Sequence, residues 1–339
     1  MAARHLAGAQ HPPQGEYDAD IIILALDRAE ETQAAIASAL AQRGLSRHVT
    51  VVDQGSSPAA LDRIAAQVTH SPDATLLTLG SNRGVPAGRN AASAFGRGRV
   101  IIGLDNDAEF ANPDTAARAV RSLDQTPDLA AIGFRILRHD TSTEDLSSWG
   151  YPSPLLSRAS ESFASVTFVG AGHAVRRAAW EQVGGYDPSL FFCWEEYEFC
   201  LRALAAGWRV RYQGDIVVTH KVSPERRVSW SRERWFYFVR NRIRIELRWG
   251  ATWPALTPRM AGYLLKGARN SRTLTTIAAL AAAQRAEWGT PRLHLSRPVR
   301  DYIAANDGAW RGNLIARLWY DVLRDRPGST CIRQEAGTR

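Results

Sequence analysis

The sequence predicts an α/β fold: a mostly parallel sheet flanked by helices, with a C-terminal helical extension. Three observations predict it. Short β-branched runs alternate with helical segments through the first half, the pattern of a parallel sheet with covering helices. Successive strand candidates run into polar residues, Asp27-Arg28, Asp53 and Asp105/Asp107, which a parallel arrangement gathers at one edge. After residue 230 the texture changes, and aromatic residues interleave with arginine at helical spacing.

The elements follow in order. Residues 1–17 hold Pro-Pro, Gly and His without periodicity and read as a flexible tail. The run 20–26 is a buried strand, and 30–43 a helix carrying Ile36 and Leu40, with Gly44 at its C-terminal end. Residues 48–53 form the second strand, 58–68 a helix opened by Ser57-Pro58, and 74–79 the third strand. A polar loop over 80–90 leads to a short Ala-rich helix. The apolar run 100–104 is a strand buried on both faces. A strand over 129–137 opens the second half, and 139–161 reads as a polar, mobile loop. Gly170-Ala-Gly172 permits a tight backbone approach to a ligand or another strand. A short helix over 178–183, the Gly184-Gly-Tyr-Asp-Pro turn, and a helix within 191–207 with acids at its start follow. Two short strands cover 208–212 and 215–220.

From residue 230 to 249 a helix places Trp235, Val239, Ile243 and Leu247 on one face at i+4 spacing. Further helices cover 257–286 and 298–324, and a tail follows Pro327. The expected organisation is a tail (1–17), an α/β domain (18–225, halved at 127/128), a basic helical region (226–326) and a second tail (327–339).

Composition narrows the class. The 339 residues are 45% apolar and 22% charged, as in a globular protein with a substantial core. Cys193, Cys200 and Cys331 lack CxxC spacing, which argues against a disulfide framework or structural zinc and for a reducing, cytoplasmic setting. The N-terminus lacks the apolar stretch of a signal peptide, and no window approaches the ~18 apolar residues of a membrane span. The net charge of +8 is uneven: from His220 onward 23 Lys and Arg face 9 Asp and Glu, a net +14, against −6 before it. Such asymmetry suits an anionic partner, whether membrane surface, nucleic acid or a phosphorylated acceptor, or else a solvated arginine-rich helical surface. No nucleic-acid motif accompanies the charge.

The chemistry centres on Leu104-Asp105-Asn106-Asp107. Two carboxylates emerging where a parallel strand ends suit a hard divalent cation, Mg2+ or Mn2+, bound to a phosphate. An isolated triplet of this kind is more often an ordinary turn.

Its company decides between these readings. The order of Asp53, Asn82-Arg-Gly-Val-Pro-Ala-Gly-Arg89-Asn90, Asp105-Asn-Asp107, Gly-Gly-Tyr-Asp-Pro and Trp194-Glu195-Glu196-Tyr-Glu-Phe-Cys-Leu-Arg202 resembles glycosyltransferase family 2 over residues 20–225. The resemblance implies a GT-A fold, a nucleotide-sugar donor (UDP-, GDP- or dTDP-linked), Mn2+ or Mg2+, and inverting transfer to a hydroxyl of a glycan or lipid-linked acceptor. It implies assembly of a surface polysaccharide or glycoconjugate, in the cytoplasm or on the inner membrane face. Residue by residue, Asp53 matches the acid that holds the nucleobase, and Asp27 and Arg28 line the same pocket. Asn82 and Arg89 belong to the donor loop. Asp105 and Asp107 match the metal pair, with Asp107 the direct ligand, and His220 matches the histidine that completes it. Glu196 occupies the catalytic-base position, with Glu195 its rival. Gly170, Gly172 and Trp194 fall to the acceptor side. The chain departs from the pattern in Leu24-Ala-Leu-Asp27, in having Glu for Asp at the base position, and in Asn106. A nucleotidyltransferase would need a glycine-rich basic loop after the first strand, where this chain has Asp27-Arg-Ala-Glu-Glu. A non-catalytic scaffold that binds glycan or membrane would not need the acids.

Overall fold

The computed structural model describes residues 3–221 and 231–312. The chain opens with β1 (Arg4–Gly8), β2 (Ala19–Ala25), α1 (Ala29–Leu40), β3 (Arg47–Asp53), α2 (Pro58–Val68), β4 (Ala74–Thr78), α3 (Val85–Phe95) and β5 (Val100–Leu104). It continues through β6 (Ala108–Phe110), α4 (Thr115–Gln125), β7 (Leu129–Arg138), β8 (Ser162–Ser165), β9 (Gly172–Arg176), α5 (Arg177–Val183), α6 (Glu195–Ala205) and β10 (Arg209–His220). One sheet joins them in the order β1-β4-β3-β2-β5-β9-β7-β10-β6, with β8 also on β10.

Strands β4, β3, β2 and β5 are parallel. Their residues are buried on both faces, which explains the unbroken Val/Ile/Leu runs. Parallel register also has a functional consequence. Ala25 pairs Asp53, and Ile23 pairs Leu104, so the residues following β2, β3 and β5 emerge at the same edge. Strand β9 inserts antiparallel between β5 and β7, which brings Gly172 beside Leu104.

After β10 come α7 (Arg232–Arg248), α8 (Trp253–Arg269), α9 (Thr273–Ala286) and α10 (Arg297–Ile303). Trp235, Val239, Ile243 and Leu247 form one face of α7, as expected, and pack with Leu256, Tyr263, Ala279 and Ala283 in a second core. The Trp235 indole N–H donates to Thr276 Oγ1 at 2.8 Å. No helix among the described residues is long and apolar enough to cross a membrane.

Several expectations change. Residues 4–8 are not a free tail: β1 adds antiparallel to β4, a single-partner edge strand too short to leave a periodic signal. The two strands expected over 208–220 are one strand, with an irregularity between Gln213 and Val217. The helix expected over 257–286 breaks at Asn270–Arg272, where Ser271 adopts φ 53°. The 139–161 segment is anchored. Trp149 and Tyr151 pack on Tyr212, Tyr151 on Phe163, and Ser153–Arg158 form a 3-10 turn. Residues 313–324 of the last expected helix, Cys331 and the 327–339 tail lie outside the described residues.

Candidate active site

The ends of β2, β5 and β10 meet at the sheet edge. The Asp105, Asp107 and His220 ligand atoms all lie within 4.8 Å of one another. Asp105 and Asp107 flank the tight turn from β5 to β6, closed by Ala108 N–H donating to Asp105 C=O at 3.0 Å. His220 ends β10, whose pairing with β6 sets it opposite Ala108. It is fully buried. Its Nε2 lies 3.1 Å from Asp107 Oδ1 and its Nδ1 2.7 Å from Asp145 Oδ2.

Asp145 was invisible as a site residue in the sequence. It is buried, and Ser147 and Ser148 hydroxyls also donate to it. Burial alone would raise its carboxyl, but hydrogen bonds from His220, Ser147 and Ser148 outweigh that and hold it well below the ordinary carboxylate range. The only local signal was Asp-Leu-Ser-Ser, an Asx-turn pattern.

Arg28 is turned toward the acids. Its Nη1 donates to Asp107 Oδ2 at 2.7 Å, and its other nitrogens reach Glu31. Asp27 and Arg28 both have positive φ, 53° and 52°, a conformation uncommon outside glycine. Asp27 Oδ1 accepts from Ser57 N–H at 2.8 Å, tying the β2 and β3 loops together. Asn106, for which the sequence offered no role, donates to Thr32 Oγ1 at 3.1 Å.

Arg89 is not at the surface and does not cap α3. It is 1% exposed, and its Nη2 donates to Asp105 Oδ1 at 2.8 Å and to Gly170 C=O at 2.9 Å. The side chain crosses β5 over Gly103, where any Cβ would collide with it and with the His173 ring. Burial and the Arg89 charge push His173 well below its ordinary pKa, so its ring is neutral.

The acidic pair begins α6. Glu195 is buried, and its Oε2 has no hydrogen-bond partner among the described residues. Glu196 is partly exposed. Its Oε1 lies against Gly170, where an added Cβ would stand 2.4 Å away. Burial pushes both carboxyls up; the neighbouring Glu196 raises Glu195 further, Asp105 raises both, and Arg89 opposes the rise.

Four sequence assignments look different in the structure. Asp53 is 1% exposed, and its carboxylate accepts from Gly55 N–H, Ser56 N–H and the Thr78 hydroxyl. These bonds shape the turn after β3. Asn82 is exposed and accepts from Gly84 N–H at 2.9 Å, shaping the loop. Gly172 packs against Val218 and Phe134 in the core. Trp194 packs on α7: its indole N–H donates to Phe238 C=O at 2.9 Å, and Arg242 stacks on its ring at 4.9 Å.

This architecture is the GT-A glycosyltransferase fold. Residues 20–184, just under half of the chain, match the family model described as Glycosyl transferase family 2. Among curated relatives, the succinoglycan biosynthesis protein ExoO of Rhizobium meliloti (strain 1021) is 36% identical over 32% of this chain and 30% of its own length. The O-antigen biosynthesis protein RfbC of Myxococcus xanthus is 24% identical over 65% of this chain and 18% of its own length. This chain thus spans less than a third of either relative. The mannosyltransferase PcManGT from Pyrobaculum calidifontis, solved with GDP-Man and Mn2+, superposes with a TM-score of 0.56 at 19% identity, over 95% of this chain and 88% of its own. That likeness is one of fold.

Glu195 provides a pH test. A carboxyl with a raised folded-state pKa binds its proton more tightly in the folded chain. Its penalty is absent below the ordinary Glu value of about 4.3 and grows as pH rises toward the folded-state value. Glu195→Gln should therefore raise the urea midpoint over the unsubstituted chain more at pH 8 than at pH 4.5. An equal gain at both pH values would contradict the assignment.

Proposed function

We propose that the chain is a metal-dependent inverting glycosyltransferase that moves a sugar from a nucleotide-sugar to a hydroxyl of a glycan or lipid-linked acceptor in polysaccharide assembly. The convergence of Asp105, Asp107 and His220 within 4.8 Å carries the reading. Two carboxylates and one imidazole suit Mn2+ or Mg2+, and their spacing fits donors to one ion. Bound there, the cation would supply Lewis-acid neutralisation of the donor diphosphate.

The chain's own residues do the rest. Arg28 offsets the Asp107 charge, and Arg89 that of Asp105. Glu196 accepts the proton of the acceptor hydroxyl as its oxygen bonds to the anomeric carbon and the bond to the diphosphate breaks. Its raised proton affinity and partial exposure suit a general base near neutral pH. Glu195, enclosed beside it, lacks that access. Asp145 holds His220 Nδ1, which leaves Nε2 directed at Asp107, the carboxylate–histidine pairing found behind metal ligands. The basic helices, with Leu274, Ile277 and Trp288 exposed on or beside α9, support contact with an anionic membrane carrying the acceptor.

A thermal-shift screen of UDP-glucose, GDP-mannose and dTDP-glucose, with and without Mn2+, identifies the donor. At ~100 times its dissociation constant a ligand adds about 2.7 kcal/mol. One donor should give a Mn2+-dependent shift that Asp107→Ala removes, and no such shift with any donor would overturn the reading. Glu196→Gln should keep the shift but slow turnover by about 10²-fold or more, and product NMR should show the inverted anomer. Retained turnover in this variant, or retained configuration, would remove the base or the stereochemical course respectively.

Asp145→Ala should weaken Mn2+ binding, read by calorimetry, by about 10–100-fold. Unchanged affinity would reduce Asp145 to a loop anchor.

A further inference from the structure

The acidic pair does not position itself. The four residues before it form a strained segment: Phe191, Cys193 and Trp194 have φ of 65°, 70° and 72°. None is glycine, and this region is sparsely populated for other residues. Such a segment persists only when its surroundings hold it.

The hold comes from α7. Asn241 is fully buried. Its Nδ2 lies 2.9 Å from Leu190 C=O, 2.8 Å from Phe192 C=O and 2.9 Å from Cys193 C=O. Its Oδ1 accepts from Arg240 Nε at 2.8 Å, and Arg240 Nη2 donates to the Ser189 and Leu190 carbonyls. One amide thus gathers three carbonyls of the strained turn. The same turn touches the donor loop, where Phe191 C=O accepts from Val85 N–H at 2.8 Å and presses against Gly84. Trp194, the last strained residue, is the N-cap of α6, whose first two residues are Glu195 and Glu196.

We propose that Asn241 is a positioning residue for Glu196. By pinning the carbonyls of 190–193 from the C-terminal helices, it sets where α6 begins and so aims the Glu196 carboxylate at Gly170 and the acidic cluster. The proposal rests on Glu196 being the base proposed above. It gives the C-terminal helices a part in the chemistry besides cover, because Asn241 lies on the helix α7 that also carries their core.

The test uses the full chain and the nucleotide-sugar selected by the screen, with turnover to water as the readout. Asn241→Asp keeps the size and removes the donor. It should lower kcat by about 100-fold, the cost of misplacing a reacting group by roughly 1 Å, while donor KM and Mn2+ affinity stay unchanged. Leu256→Ala, in the second core and away from the turn, is the control for lost stability. If both variants lose kcat in proportion to their fall in melting temperature, the role is structural and the proposal fails. If Asn241→Asp does not fold, Asn241→Ser, which retains a donor, is read by the same comparison. Full activity in Asn241→Asp with an inactive Glu196→Gln overturns this inference alone. An active Glu196→Gln overturns the base assignment, and this inference with it.

Discussion

One buried cation, Arg89, ties the Asp105 turn to the backbone at Gly170. The Arg89 guanidinium, carried on α3, reaches past β5 to bond Asp105 on the proposed donor side and Gly170 C=O on the proposed acceptor side. Asp105, Glu195 and Glu196 all lie within its electrostatic reach. Without it, a cluster of carboxylates at a partly desolvated strand edge would repel and protonate. Its burial also explains two otherwise unremarkable residues: Gly103, which leaves room for the side chain, and His173, kept neutral beside it.

The remaining contacts form relays around that centre. On one side Arg28 and His220 grip the two oxygens of Asp107, and Asp145 stands behind His220. On the other, Asn241 and Trp194 tie the start of α6 to α7. Both relays cross long sequence separations, so the metal cluster and the acidic pair each depend on segments remote in the chain.

Much of the architecture was legible because parallel strands buried on both faces write unbroken apolar runs, and 100–104 is the clearest. The Asp105-Asn-Asp107 turn and the Glu195-Glu196 step were legible through order and spacing. What escaped has a physical reason. Asp145 sits in a polar segment whose burial comes from aromatic packing on Tyr212, which no local pattern encodes. Asn241 stands among arginines and reads as one more polar position, although three backbone carbonyls converge on it. Adjacency to the acids in sequence gives no direction for the Trp194 ring, whose indole N–H meets Phe238 C=O on α7. The left-handed backbone of Trp194 turns the ring toward α7. Arg89 is a buried brace on Asp105 and Gly170, which its place in a polar loop does not reveal.

The central claim is that Asp105, Asp107 and His220 act together as a cation site. Pulsed electron paramagnetic resonance of Mn2+ added to the protein tests it most directly, because a bound imidazole leaves a nitrogen hyperfine signal. The account predicts that signal in the unsubstituted chain and its loss in His220→Ala. Protein-bound Mn2+ with no nitrogen coupling, or a coupling that survives His220→Ala, would contradict it.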